Sequence, residues 1–194
     1  MNDTRREILR IATNHFATMD YSAVNLEEIA REAHVTRAPL YYYFKNKEGL
    51  YRAVVEASLQ ESRAVMDQLL GADESVFQII RKEYAHCIHG LGRYRRIWWP
   101  GPGAPDCQDQ VHAFSQWLIG RKYELFTMAK ARGELAPDAD ISELVTLIYV
   151  FYYGTLDTQG TAQTHVGLNR NLLDNSEDWF MSIVRDRYGN HEKP

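Results

Sequence analysis

Apolar residues recur at three- and four-residue spacing along nearly the whole chain. No stretch keeps the period-two alternation, bounded by turn residues, that a strand needs, so the pattern predicts an all-α fold. Ile8, Ala12, Phe16 and Met19 follow Asp3 or Thr4 as a cap and predict a first helix over about 3–19, ended by Asp20, Tyr21 and Ser22. Asn25, with Glu28 three residues on, has the spacing of a capping box and opens a short helix over about 26–33 that carries Ile29, Ala30 and Ala33. His34 falls where the chain must turn sharply, and histidine is among the few non-glycine residues enriched in the left-handed region. Thr36 then caps another short helix with Pro39 in its first turn, and Asn46 caps a fourth, running from Lys47 to about Leu70.

Beyond Gly71, helical patterns run at about 74–92, 108–132, 141–158 and 172–187. The strongest break is Trp98-Trp99-Pro100-Gly101-Pro102-Gly103-Ala104-Pro105, which cannot be helix interior. Gly133 follows Lys130 and Arg132 as a C-terminal cap would, and Asp140 with Glu143 has capping-box spacing. There are no internal repeats and no low-complexity segments.

Composition narrows the setting. At 194 residues and 45% hydrophobic content the chain can bury a substantial core. No run reaches the roughly 18–20 apolar residues of a membrane span, and the polar start Met1 to Arg10 lacks the apolar stretch of a secretory signal, so a soluble, cytoplasmic protein is expected. Cys87 and Cys107 are too few for a disulfide framework and fit a reducing compartment. The net charge of -4 argues against nucleic acid until its distribution is counted. Residues 1–63 hold nine Lys/Arg and nine Asp/Glu, and within 31–52 Arg31, Arg37, Lys45, Lys47 and Arg52 stand against only Glu32 and Glu48. Screening limits each charge to about 8–10 Å, so a local basic surface on an acidic chain still attracts phosphate.

Two short helices joined by a tight turn, with an alanine on the inner face of the first, have the shape of a DNA-reading helix-turn-helix whose second helix enters the major groove. That second helix offers Arg37, Ala38, Tyr41, Tyr42 and Tyr43. Arginine can donate twice to guanine, alanine is small enough to meet a thymine methyl, and tyrosine hydroxyls can bond phosphate. Lys47 lies in the first turn of the next helix, where free amides and the dipole add to phosphate binding.

These residues resemble the TetR family of bacterial regulators. The resemblance is carried by Ile8-Leu9, Ala12, Phe16, the stretch from Ile29-Ala30 to Val35-Thr36, and above all Leu40-Tyr41-Tyr42-Tyr43-Phe44-Lys45-Asn46-Lys47-Glu48-Gly49-Leu50. It covers about the first 55 residues; the rest matches in architecture only. It implies a helix-turn-helix DNA-binding domain over 1–46 and a helical effector-binding and dimerisation domain over 47–194, with 47–70 as the linking helix. It places Arg37 and Ala38 at base contacts, Tyr42, Tyr43 and Lys47 at phosphates, and Asn25 and Thr36 at helix starts on the DNA face; Tyr41 stands between phosphate contact and packing. It also implies a homodimer that represses from an inverted-repeat operator and is released by a small-molecule effector. A DNA-binding protein without an effector, or an activator, is the alternative. Two departures are His34, where the family usually has glycine, and Glu27, an acid near the DNA face.

Other residues carry weaker signals. His86 and His89 flank Cys87, with Cys107 and His112 further on, but no acidic partner or CxxC pair accompanies them, so no metal or other cofactor is expected. Arg93, Arg95 and Arg96 read either as a solvated surface or as an anion contact. Tyr84, Trp98, Trp99, Phe114, Trp117, Tyr123 and Phe126 are the candidates for the lining of an effector pocket, against a plain core role. The run from Leu144 to Tyr153 is apolar nearly all round. Leu144, Ile148 and Tyr152, with Leu172, Leu173, Trp179, Phe180, Ile183 and Val184 on the last helix, are therefore expected to form a four-helix dimer interface. No catalytic triad, HExxH, P-loop or dinucleotide glycine pattern is present, so no enzyme is expected.

Overall fold

The caps read from the sequence set most helix boundaries. The structure, a computed structural model, describes residues 3–161 and 175–191. Helices α1 (Asp3–Thr18), α2 (Leu26–Glu32), α3 (Arg37–Phe44) and α4 (Lys47–Leu70) follow one another as expected, with a 3-10 turn at Tyr21–Ala23. Asn25 does cap α2, but its side chain accepts from the Glu27 amide at 2.9 Å rather than from one residue further on. Asn46 Oδ1 accepts from the Gly49 amide at 2.7 Å and starts α4. Thr36 stands at the N-cap of α3 without a capping bond from its side chain.

The expected helix over 74–92 is shorter and broken. Ser75 opens α5 (Val76–Ala85) through a capping box with Gln78. The chain then widens into a π-type turn at His86–Gly90, tightens into a 3-10 turn at Leu91–Tyr94, and closes with the single-turn α6 (Arg95–Trp98). Trp99, forced from helical geometry by the proline after it, adopts φ -125° and ends the run. Helices α7 (Gln108–Ala131), α8 (Ile141–Thr161) and α9 (Ser176–Tyr188) complete the described fold. Gly133 takes the positive φ of 72° expected of its cap, and Asp140 Oδ1 accepts from the Glu143 amide at 3.0 Å. A lone bridge pairs Leu135 with Gly189, so no β-sheet forms among the described residues.

Packing gathers the chain into two units. One comprises Met1–Ala64 with Arg93–Ser115, the other Val65–Gly92 with Gln116–Pro194. In the first, Ile8, Ala12, Phe16, Ile29, Leu40, Phe44, Leu50, Tyr51 and Val54 are buried together. The returning segment is fastened here by polar bonds: Tyr51 donates to the Ile97 carbonyl at 2.6 Å, Trp98 Nε1 donates to Ser58 Oγ at 2.8 Å, and Arg96 pairs with Asp20 at 2.7 Å.

In the second unit, α8 and α9 run antiparallel, with Arg187 on Glu143 at one end and the Phe151 and Phe180 rings stacked at 4.3 Å further along. Here one expectation needs correcting. Leu144, Ile148, Tyr152, Phe180 and Val184, expected at a dimer interface, are buried in the core of their own chain. The cause is the helical period: these positions share the inward faces, and α8 is not apolar and covered on all sides. Val150 is 63% and Trp179 49% exposed, while Leu147 and Ile183 are half-buried. Leu172 and Leu173 lie outside the described residues.

Candidate nucleic-acid interface

The turn between α2 and α3 is a Schellman motif built on a histidine. The His34 amide donates to the Arg31 carbonyl at 3.1 Å and the Val35 amide to the Ala30 carbonyl at 3.0 Å. His34 itself sits at φ 53°, the left-handed position that glycine most often fills. Histidine in place of glycine therefore leaves the turn's geometry unchanged and adds only its backbone strain. His15, buried on α1, sets Nε2 3.1 Å from both oxygens of Glu32 and so ties α2 to the helix behind it.

The far end of α3 explains the run Phe44-Lys45-Asn46-Lys47-Glu48-Gly49. Lys45 takes φ 65° and ψ -50° while the Asn46 amide donates to the Phe44 carbonyl at 2.7 Å, a γ-turn of the rare, positive-φ kind. This reverses the chain within one residue and drives the first turn of α4 against α3. A Cβ on Gly49 would lie 2.1 Å from the Phe44 carbonyl oxygen, so only glycine fits. Leu40 and Phe44 anchor α3 in the core, leaving its opposite face in solvent.

That outer face carries the side chains named from the sequence. Tyr42 is 81% and Tyr41 47% exposed, Arg37 and Ala38 are exposed, and Tyr43 is half-buried with its ring edge-on to Tyr42 at 5.1 Å. Arg37 is engaged by Glu27 of α2 in an ion pair. Lys47 is likewise held: Nζ donates to the Ser22 carbonyl at 3.0 Å and lies 4.7 Å from the centre of the Tyr21 ring. Partial burial there pushes its pKa below the ordinary lysine range. Thr36 and Asn25 are exposed at the starts of α3 and α2. The arrangement thus presents one arginine fork, a row of phenol hydroxyls and two helix N-termini on a rigid scaffold, the set of donors that duplex DNA takes.

The candidates for an effector pocket fall in both units. In the first, Trp98 is buried, stacked on Tyr94 at 5.6 Å and tilted against Phe114 at 5.5 Å, which is core packing; Trp99 is 41% exposed beside it. In the second, Tyr84 and Phe126 are buried, Trp117 is half-buried and Tyr123 is exposed, donating to Ser142 at 3.1 Å. Arg93 and Arg96 are paired with Glu61 and Asp20. Cys87 and Cys107 are both free and buried, and no cluster of three metal-ligating side chains occurs among the described residues.

Sequence reasoning missed a buried charge pair in the second unit, Glu83 on α5 and Lys122 on α7. The signal was present. Glu83 interrupts the stripe Val76, Ile79, Ile80 and Tyr84, and Lys122 precedes Leu125, Phe126 and Ala129 on an apolar face. A charge at an inward position of an amphipathic helix is informative, whereas the aromatic residues drew attention by number alone.

Comparison with known proteins agrees with this geometry. The sequence model of the family described as "Bacterial regulatory proteins, tetR family" matches residues 8–54, the span of the helix-turn-helix and the start of α4. The transcriptional regulator AcuR of Cereibacter sphaeroides is 27% identical over 161 residues, covering 78% of this chain and 74% of that protein. Among solved structures, a TetR transcriptional regulator from Chloroflexus aurantiacus superposes with a TM-score of 0.76 at 16% identity, covering 97% of both chains. A chain from Saccharomonospora viridis crystallised with choline gives a TM-score of 0.79 at 15% identity, covering 97% of this chain and 99% of that one; likenesses at such identity speak for the fold. The matched motif and the relative that spans most of its length point the same way: residues 8–54 match the TetR family model, and over most of its length the chain is similar to a transcriptional regulator.

Proposed function

We propose that this chain is a dimeric repressor of the TetR family that holds an inverted-repeat operator through α3 of each protomer and lets go when a small molecule binds in its second unit. The observation that carries this reading is the outer face of α3, where Arg37, Ala38, Tyr41 and Tyr42 stand in solvent while Leu40 and Phe44 fix the helix from behind. Arg37 is the base reader. Tyr42, Tyr43 and Lys47, with the starts of α2 and α4 at Asn25 and Asn46, hold phosphates and set the register.

Dimerisation uses the outward faces of α8 and α9, with Trp179 and Ile183, already expected from the sequence, joined by Leu147 and Val150 in place of the buried Leu144, Ile148, Tyr152, Phe180 and Val184. A two-fold pair would present two copies of α3 to successive major grooves, which requires their centres to be about 34–36 Å apart. An effector that prefers a conformer with another separation weakens binding by the ratio of its affinities for the two states.

The test is fluorescence anisotropy of the full-length protein on a duplex from its own promoter region, with and without a small-molecule library. Release by one or a few compounds, with the protein eluting at twice its 22.5 kDa chain mass, is the expected result. DNA binding that no compound alters would favour the effector-independent reading, and a chain that stays monomeric would refute the dimer.

A further inference from the structure

The core of the second unit contains an ion pair sealed from water. Glu83 is 0% exposed; its Oε1 lies 2.8 Å from Lys122 Nζ, and the Lys122 side chain is 3% exposed. Nζ sits 4.8 Å from the centre of the Tyr152 ring. Neither carboxylate oxygen receives a bond with hydrogen-bond geometry, so Oε1 has charge contact alone and Oε2 has no donor. The nearby hydroxyls are already committed. Tyr84 shares its hydrogen bond with Ser176 Oγ at 2.7 Å, and Tyr152 donates to the Ile80 carbonyl at 3.1 Å. Replacing a buried ion pair by apolar side chains of similar volume is often neutral or stabilising, so stability is a weak explanation for the pair. A buried carboxylate oxygen without a donor is a position that a ligand can complete.

We propose that Glu83 and Lys122 are the polar anchor of a small-molecule site in the second unit, which takes an uncharged aromatic compound whose hydroxyl donates to Glu83 Oε2. The inference rests on the effector reading above and names the chemistry of that effector. The charge class follows from the pair itself: its net charge is zero, and a ligand that brought its own charge would leave one charge uncompensated in a low-dielectric core. The shape class follows from the surroundings: the Tyr84 ring meets Tyr152 at 5.4 Å and Phe180 at 6.0 Å, so the neighbourhood of Glu83 is aromatic and apolar and favours a compound of the same character. Lys122 faces Glu83 Oε1 at 2.8 Å and leaves Oε2 as the acceptor, where a ligand hydroxyl gains a charge-assisted bond.

The experiment is thermal unfolding of the full-length protein with phenol, and with benzoate and choline as charged comparators, each run beside operator binding in the same buffer. Phenol at ten times its Kd is expected to raise Tm by about 3–5 °C. The double variant Glu83→Met/Lys122→Met is expected to melt at or above the wild-type temperature and to show no phenol shift. If that variant does not fold, Glu83→Gln/Lys122→Met keeps both shapes and loses at least about tenfold in phenol affinity, because a neutral amide accepts roughly half as strongly as a carboxylate. Equal phenol shifts in wild type and variants, no shift in the wild type at millimolar phenol, or a larger shift with benzoate or choline would each overturn the proposal. A phenol shift without operator release sustains the site and removes the effector reading. Release by another compound without a phenol shift removes the site and sustains that reading.

Discussion

Glu27 on α2 closes an ion pair with Arg37 on α3, so the residue best suited to read a base is already occupied by an acid on the same surface. Both side chains are about three-fifths exposed, and such a pair contributes only about 0–1 kcal/mol to stability. Its consequence is for binding. A contact by Arg37 with guanine would compete with Glu27 for the guanidinium, and Glu27 would repel phosphates brought alongside. Glu27→Gln should therefore tighten binding to random duplex by about three- to tenfold while the ratio of specific to random affinity falls. Anisotropy titrations at two salt concentrations check this, and unchanged affinity for random DNA would count against the role given to Glu27.

Gly49 is fixed by the γ-turn at Lys45. Its missing Cβ makes room for the Phe44 carbonyl, which is backbone and cannot swing away. Gly49→Ala should destabilise the protein by about 2–3 kcal/mol, as overpacking of a well-filled site does. Urea unfolding measures the loss; a change below about 0.5 kcal/mol would mean that the turn relaxes freely.

His34 predicts a change of opposite sign. A non-glycine residue at φ 53° carries strain that glycine lacks, offset in part by glycine's greater entropy when unfolded. His34→Gly should stabilise by about 0.5–1 kcal/mol with operator binding intact. A loss of binding without a loss of stability would instead assign the imidazole to DNA contact.

Stability should decline in alkali. Burial pushes the phenol of Tyr94 up to about 12, and burial likewise raises Tyr51 and Tyr152. A folded pKa above the unfolded value of about 10 means that these groups favour the folded state fully below pH 10. That contribution is lost as pH rises through the folded values. Melting temperature should fall progressively above pH 10, and absorbance at 295 nm should show these phenols ionising together with unfolding. A normal titration of all twelve tyrosines while the protein stays folded would contradict the burial described.

The DNA-binding half was legible because its signals are local. Asn25, His34 and Asn46 each act within a few residues of themselves, through a cap or a left-handed turn, so residue type at fixed spacing was enough; the close approach at Gly49 showed only in the structure. The second unit was not. Which of Leu144, Leu147, Ile148 and Val150 points inward depends on the helices beside α8, and an almost uniformly apolar run carries no record of that choice. The break of α5 at His86 was hidden for a related reason, since a π-type turn keeps helical composition while shifting the phase. Glu83 and Lys122 are 39 positions apart, and only tertiary structure shows that two misplaced charges answer each other.

The central claim is that α3, presented twice across a two-fold axis, reads DNA sequence. Selection of bound duplexes from a random pool, followed by sequencing, tests it most directly. The account predicts an inverted repeat with half-site centres about 10–10.5 base pairs apart or a multiple of this. Arg37→Ala should flatten the preference at one position of each half-site, while Lys47→Ala should weaken all sequences alike. Bound duplexes with no enriched motif, or a motif that Arg37→Ala leaves intact, would contradict it.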